Sequence, residues 1–302
     1  WFKANSPAVG QYYAIAVDDA KPYNVYGGFQ DNGTWFGPSN NRETTDWHDS
    51  GNYPFKSIGG GDGMQVQVDT RDNTTVYVGS QFGAYSRLNR NAPLAGRVSV
   101  RPQHELGDKP LRFNWQSPIL LSKHNQDVFY FGTNRFHRSL NKGEQSVNMS
   151  GDLTGGKKEG NVPFGTLVTM SESPLRFGLI YTGSDDGFIH LTKDGGYSWT
   201  AIHSKLPKQV QGLYVSRVIA SKYKESRVYV TLNGYRNDHF AAWVFVSEDY
   251  GTTWKQIFTD LPAEPVNVIR EDPKHENLLY VGTDHALYVS VDGGAGSMAW
   301  MS

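Results

Sequence analysis

The 302-residue chain contains no cysteine, which removes disulfides and thiolate-bound metal from its fold and its chemistry. An excess of charge of either sign is also missing: 29 Lys and Arg face 30 Asp and Glu, and no basic run occurs. Nucleic-acid binding rests on clustered cations, so nucleic acid is not an expected partner. No apolar stretch approaches the ~20 residues of a membrane-spanning helix. The opening segment WFKANSPAVG has neither the basic start nor the apolar run of a signal peptide. The nine His show no H-x-x-x-H or His/Asp spacing, so no metal site and no cofactor is expected. What is abundant is glycine (33 residues) and aromatic side chains (17 Tyr, 15 Phe, 8 Trp), interleaved with short apolar runs. That is the profile of an all-β protein.

An internal repeat organises the sequence. A strand-like segment with a central tyrosine occurs six times, at Tyr26, Tyr77, Tyr130, Tyr181, Tyr229 and Tyr280, at intervals of roughly 50 residues. Eight residues before each Tyr stands a turn-forming residue: Asp18, Asp69, Ser122, Ser173, Ser221 and Asp272. Each of these closes a preceding apolar run, and a third strand and the start of a fourth follow the tyrosine strand. Four short antiparallel strands per repeat is the sequence form of a β-propeller blade, whose two faces are buried only by neighbouring blades. The pattern predicts blades near residues 8–50, 60–100, 115–155, 163–206, 213–262 and 264–302. Trp1 matches the Trp that ends a later repeat, at Trp254, and Trp300 closes the last. The chain therefore reads as a section of a longer one, part of a seven-bladed, larger or tandem propeller.

A second motif recurs at the third-strand end. Ser247–Trp254 reads S-x-D-x-G-x-x-W; Thr192–Trp199 keeps Asp194, Gly196 and Trp199, and Ser290–Trp300 keeps Asp292 and Gly294. A degenerate copy from Ser139 has Asn141 in the Asp position. Asp249 and its equivalents are suited to accept hydrogen bonds within their own turn. Gly251 supplies a positive φ, and Trp254 buries a large surface. A motif repeated once per blade cannot surround one substrate, so its role is structural.

With both repeats in place, the chain resembles bacterial BNR-repeat (Asp-box) proteins labelled glycosyl-hydrolase-like. These share the motif with sialidases, two-propeller xyloglucanases and sortilin-type receptors. The resemblance rests on Lys21–Ser39, Leu111–Ile119, Asn134–Gln145 and Tyr181–Trp199. It implies a secreted, periplasmic or cell-surface protein with a further propeller or domain in the same chain. Sialidases grip a carboxylate with an arginine cluster; Arg112, Arg135 and Arg217 do not assemble into one by sequence. Xyloglucanases place a catalytic Asp just after the second strand of a first blade, which implies Asp31 here, with the partner acid on a second propeller.

Propeller topology places the turn after the second strand beside the loop into the first, around one mouth of the channel. Four residues past each repeat tyrosine lie Gln30, Gln81, Asn134, Asp185, Asn233 and Asp284, a column of amides and carboxylates suited to hydroxyl recognition. One residue further come Asp31, Phe82, Arg135, Asp186, Gly234 and His285. Asp62 lies among Gly59, Gly60, Gly61 and Gly63 and, with Asp31 from the adjacent blade, makes a candidate carboxylate pair; Asp185 and Asp186 offer the alternative partner. Glycoside hydrolysis uses two such carboxyls. Asn32, Arg135 and His137 are further hydroxyl-binding candidates. Trp35 and Trp115 lead the aromatic platforms for sugar rings, ahead of Phe36, Trp47, Tyr53 and Phe136. Two functions follow: a glycan-active hydrolase or glycan binder at the channel mouth, and a non-catalytic propeller that binds a protein or peptide.

Overall fold

The computed structural model describes residues 10–42, 44–51, 53–156 and 164–300; Trp1 and the side chain of Trp47 lie outside this description. These residues form six four-stranded antiparallel sheets, all in simple sequence order, giving the six blades of a β-propeller. The inner strands are Tyr12–Val17, Gln67–Val68, Ile119–Leu121, Leu167–Glu172, Tyr214–Ala220 and Val266–Glu271, each packed beside the next around the axis. In the first blade the fourth strand is Lys56–Gly59, beyond the 8–50 range expected. The delay comes from an insertion after Pro38 that carries the short helix Asp46–Ser50. Part of the stretch expected as a glycine loop is therefore strand.

Five apolar clusters hold the blades, one at each successive interface. The first joins Tyr26, Phe36 and Ile58 to Val66, Val76 and Val78, and the last joins Tyr229 and Val244 to Val266 and Ile269. Between them lie the clusters around Phe129, Tyr130 and Tyr181. Each inner strand also has a free edge whose amides need acceptors. Polar side chains of the preceding blade supply them. Gln65 and Gln67 accept from the Ile119 and Leu121 N–H groups at 3.1 and 3.2 Å, and Thr169 and Ser171 accept from Val218 and Ala220 at 3.3 and 3.0 Å.

Five of the repeat tyrosines are buried and Tyr280 half-buried, and four of their hydroxyls find carboxylates; Tyr77 instead donates to the Lys142 carbonyl and the Tyr181 hydroxyl meets no partner. In blades one and six, closed by Asp, the bond stays within the blade: Tyr26 donates to Asp18 at 3.0 Å and Tyr280 to Asp272 at 3.2 Å. In blades three and five, closed by Ser, the donor crosses to the next blade, Tyr130 to Glu172 at 2.8 Å and Tyr229 to Glu271 at 3.3 Å. Burial raises the proton affinity of Tyr130, and the neighbouring Glu172 raises it further.

The third-strand turns share one geometry. The Ser247 hydroxyl donates to Asp249 at 2.8 Å and accepts the Gly251 N–H at 2.7 Å; Asp249 then accepts the Thr253 N–H and hydroxyl. The same frame forms around Thr192 and Asp194, Ser290 and Asp292, and Ser139 and Asn141. Bonds from the Ser198 hydroxyl and amide hold the Asp194 carboxyl down to about 2. The central glycine of each turn abuts the preceding blade: a Cβ on Gly251 would strike Ile202, and one on Gly196 would strike Met149. Trp199 completes the join by donating to the Met149 carbonyl at 3.0 Å, while Trp254 packs into the cluster between blades four and five. These turns are joints between blades.

The first blade turns an apolar face to solvent. Ile15 is 64% exposed and Val17 54%, with Tyr12 half exposed beside them. Ile269 occupies the position of Ile15 in the sixth blade and is fully buried against the fifth. Among the described residues no apolar cluster joins the sixth blade to the first.

Candidate functional site

The mouth that collects the turns after the second strands has two characters. On the side of blades one to three it is aromatic and open. The inner strand of blade one presents Tyr13, whose hydroxyl donates to Gln30 Oε1 at 3.2 Å and accepts from Trp115 Nε1 at 3.2 Å. Phe82 stands edge-on to Trp115, with ring centroids 5.1 Å apart, and its N–H donates to the Trp115 carbonyl. Gln116 ties the same loop back to Tyr13 through its carbonyl at 3.2 Å. Residues 113–116 thus bridge from blade three to blade one across the mouth. Phe82 is 44% exposed and Trp115 37%, so two aromatic surfaces face solvent beside amide groups.

Asp31 is exposed in this region, in the left-handed conformation with φ of 62°. Its backbone N–H donates to Asp62 Oδ1 at 2.6 Å. Asp62 is itself buried, and Gln81 flanks it, accepting from the Asp62 N–H at 3.3 Å and donating to Oδ2 at 3.4 Å. Asp31 and Asp62 are brought together, but through a backbone amide, with Asp62 acting as the anchor of the Asp31 turn. The glycines explain the approach. Gly33 N–H donates to the Gly61 carbonyl and Gly63 N–H to the Phe29 carbonyl, both below 3 Å. A Cβ on Gly63 would fall on the Gly33 carbonyl, and one on Gly28 on the carbonyls of Gly63 and Met64. The loop is a backbone-to-backbone seam. Asn32 and Trp35 close this turn locally, Asn32 by donating to the Gln30 carbonyl and Trp35 by donating to the Asn32 carbonyl at 2.7 Å.

On the side of blades three and four the predicted residues are structural. Asp185 is buried and accepts from the Thr166 N–H (2.9 Å), the Thr166 hydroxyl (2.9 Å) and the Phe164 N–H (2.7 Å). Burial raises its proton affinity despite these bonds, which pull the other way. Asp186, also buried, accepts from Ser184 at 2.6 Å and from the Gly155 N–H at 2.9 Å. Both carboxylates fasten the ends of the loop between blades three and four. Asn134 is buried between the Arg112 N–H and Asp152. Arg135 lies half-buried, 3.9 Å from Asp108. Arg112 pairs with Asp152 at 2.6 Å. Asp284 is exposed and accepts from Asn267, which accepts in turn from Asn233.

His137 corrects its expected role. It is 2% exposed, its Nε2 lies 3.0 Å from the Thr133 hydroxyl, and it offers a ligand nothing. Burial, helped by nearby Arg135, holds the imidazole down to about 4. An unfolded histidine titrates near ~6.5, so the unfolded chain takes up the proton first. The stability tied to the neutral ring is full above pH ~6.5 and is lost as pH falls toward 4, by up to ~3 kcal/mol. Unfolding free energy by urea should fall across that window, and His137→Gln should flatten the fall; parallel curves for the two proteins would refute the assignment.

The structure also reveals what sequence reading missed. Tyr13 reads as an ordinary inner-strand residue, and only its position across from Trp115 shows it to be the hub of the aromatic side. Phe82 was visible as the single aromatic in the column headed by Asp31. A cavity of about 350 Å³ lies at the rim, lined by Arg227, Trp254 and Glu276, and does not touch the mouth.

No family model and no curated protein matches the sequence. Solved structures match the fold. This chain is similar to the GH74 xyloglucanase from Xanthomonas campestris, with a TM-score of 0.68 and 17% identity over 97% of this chain and 45% of that one. It is similar to the GH74 enzyme of Niastella koreensis, at 0.65 and 15% over 96% and 45%. It is also similar to YCF48 bound to the D1 peptide, at 0.57 and 11% over 96% and 81%. The likeness is one of fold. The chain spans less than half the length of the two GH74 enzymes. No helix among the described residues is long and apolar enough to cross a membrane.

Proposed function

We propose that this propeller belongs to a secreted or cell-surface protein of Asp-box type and binds polysaccharide at the mouth formed by blades one to three. The observation that carries the reading is the exposed pair Trp115 and Phe82, set by Tyr13 beside Gln30, Gln81 and Asp31. Sugar rings stack on aromatic faces while amides and carboxylates take their hydroxyls. The fold shared with two GH74 enzymes supports a glycan as the ligand. In the hydrolytic form of this reading Asp31 is the base or nucleophile, and the partner acid comes from a further domain of the same protein. Asp62 and Asp186 are tied to backbone amides, which argues against either as that partner within this chain.

A second reading has its own observation. Of the three acids assigned to catalysis only Asp31 is exposed, which favours a non-catalytic propeller that binds a peptide, as YCF48 does.

The test is retention of the intact protein in gels containing xyloglucan or other plant and bacterial polysaccharides. Trp115→Ala should weaken retention about tenfold, equivalent to ~1.4 kcal/mol. Asp31→Asn should abolish release of reducing sugar while sparing retention. Failure of the intact protein to be retained by any glycan would sink the proposal, and retention without turnover would leave binding as the function.

A further inference from the structure

The centre of the ring holds a group of cations that the mouth above does not use. Arg217 sits midway along the inner strand Tyr214–Ala220, paired with Thr231, so it lies deep within the propeller. Its Nε is buried and meets no hydrogen-bond partner. Arg270 follows on the neighbouring inner strand, one residue from its end. Lys222 and Lys123 stand one residue past the turn residues Ser221 and Ser122, at the end of the channel opposite Asp31 and Trp115. The four positions descend from mid-channel to that far mouth.

These cations act on one another. Burial depresses the proton affinity of Lys123, and Lys222 and Arg270 depress it further, although they come from blades five and six and Lys123 from blade three. All three stand on or just past inner strands, which line the axis of the propeller. Burial likewise lowers Arg270, to about 10, with Arg217 adding to it, and burial lowers Arg217. Arg270 and Lys123 are exposed and Arg217 and Lys222 half-buried, so the group opens to solvent.

No acid answers this charge. Among the described residues none of the four forms an ion pair, whereas Arg71, Arg87, Arg112, Arg176 and Arg227 all do. The nearest carboxylate on the strands concerned, Glu271, is engaged by the Ser221 hydroxyl and the Lys222 N–H at 2.7 and 2.8 Å. Arg270 Nη1 has only the carbonyl of the adjacent Ile269. Uncompensated cations in a confined, partly desolvated space raise the local concentration of anions and bind them strongly.

We propose that the far half of the central channel is an oxyanion site, with Arg217 at its floor and Arg270, Lys222 and Lys123 along its approach from the far mouth. Its ligand carries a carboxylate, sulfate or phosphate group and is slim enough to enter the channel. Arg217 supplies the planar fork that grips two oxygens, and the lysines supply charge at the entrance. The site is independent of the glycan reading and lies at the other end of the axis.

Binding to the folded state alone raises the melting temperature in a saturable way. Melting of the intact protein should be followed at low ionic strength while glucuronate, sulfate and inorganic phosphate are titrated separately, for wild type, Arg217→Met and Lys222→Met. At least one of the three anions should stabilise wild type with saturation. Arg217→Met should melt no lower than wild type without anion, because it removes a charge that forms no ion pair and whose Nε is buried without a partner. Both variants should need at least tenfold more anion for the same rise. Lys222, half-exposed in a turn, keeps the test valid if Arg217→Met does not fold. An equal response in all three proteins would mean a general salt effect, and it would overturn the site, as would no response to any anion. Which anion saturates first separates a carboxylate ligand from a sulfate or phosphate ligand.

Discussion

Gly63→Ala is expected to cost the protein more than 3 kcal/mol of stability, well above the usual range for a surface loop substitution. The added methyl would fall on the backbone carbonyl of Gly33 and on the Thr34 hydroxyl. The Gly33 carbonyl cannot swing aside as a side chain does, since Gly33 is held by its own bond to the Gly61 carbonyl. The seam between the Asp31 turn and the Asp62 loop must open, and with it the 2.6 Å bond that holds Asp31 in place. Glycan retention should therefore fall together with the melting temperature. Gly60→Ala is the control, because its Cβ would meet nothing within 4 Å. Equal melting temperatures for the two variants would show that the seam is not packed as described.

Asp185→Ala should be nearly as damaging. Its removal strands the Phe164 and Thr166 amides, and each buried donor without a partner costs ~1–3 kcal/mol. A loss of about 2–5 kcal/mol in urea unfolding is expected. Asp185→Asn should lose less, since it keeps one acceptor and is neutral in a place where burial already opposes charge. The alternative role, an acid that serves catalysis, predicts the reverse pattern: both variants stable and inactive. Stability and turnover measured on the same two proteins decide between an anchor and an acid.

The fold was legible in the sequence because propeller blades repeat their chemistry. Six tyrosines, each eight residues after a turn residue, expose the register without any tertiary knowledge. The recurrent Ser247–Trp254 type of turn was readable as a repeat for the same reason, and its hydrogen bonds close within the turn itself. The site was legible only in part. Reading four and five residues past each tyrosine finds the mouth but not the direction in which a carboxylate points. Asp31 and Asp186 occupy the same repeat position, yet one faces solvent and the other faces the Gly155 amide. That difference depends on the length and path of the neighbouring loop, which periodicity does not encode. The tyrosine at position 13 and the cations at 123, 217, 222 and 270 were hidden for another reason. They converge from different blades, and no window of sequence contains them together.

The bare flank of the first blade bears on how the molecule opens. In an array of repeats each unit is stabilised by its own contacts and by those with its neighbours. A unit packed on both sides must break two interfaces to unfold, and a unit packed on one side only one. Among the described residues the first and sixth blades are each packed on one side, and with Ile15 and Val17 exposed the inner strand of the first should be among the earlier ones to trade its amide hydrogens for deuterium. The strand Leu167–Glu172, clamped between two packed neighbours, should be among the last. Because Tyr13 lies on the inner strand of the first blade, a ligand that grips Tyr13 and Trp115 together should slow that strand's exchange.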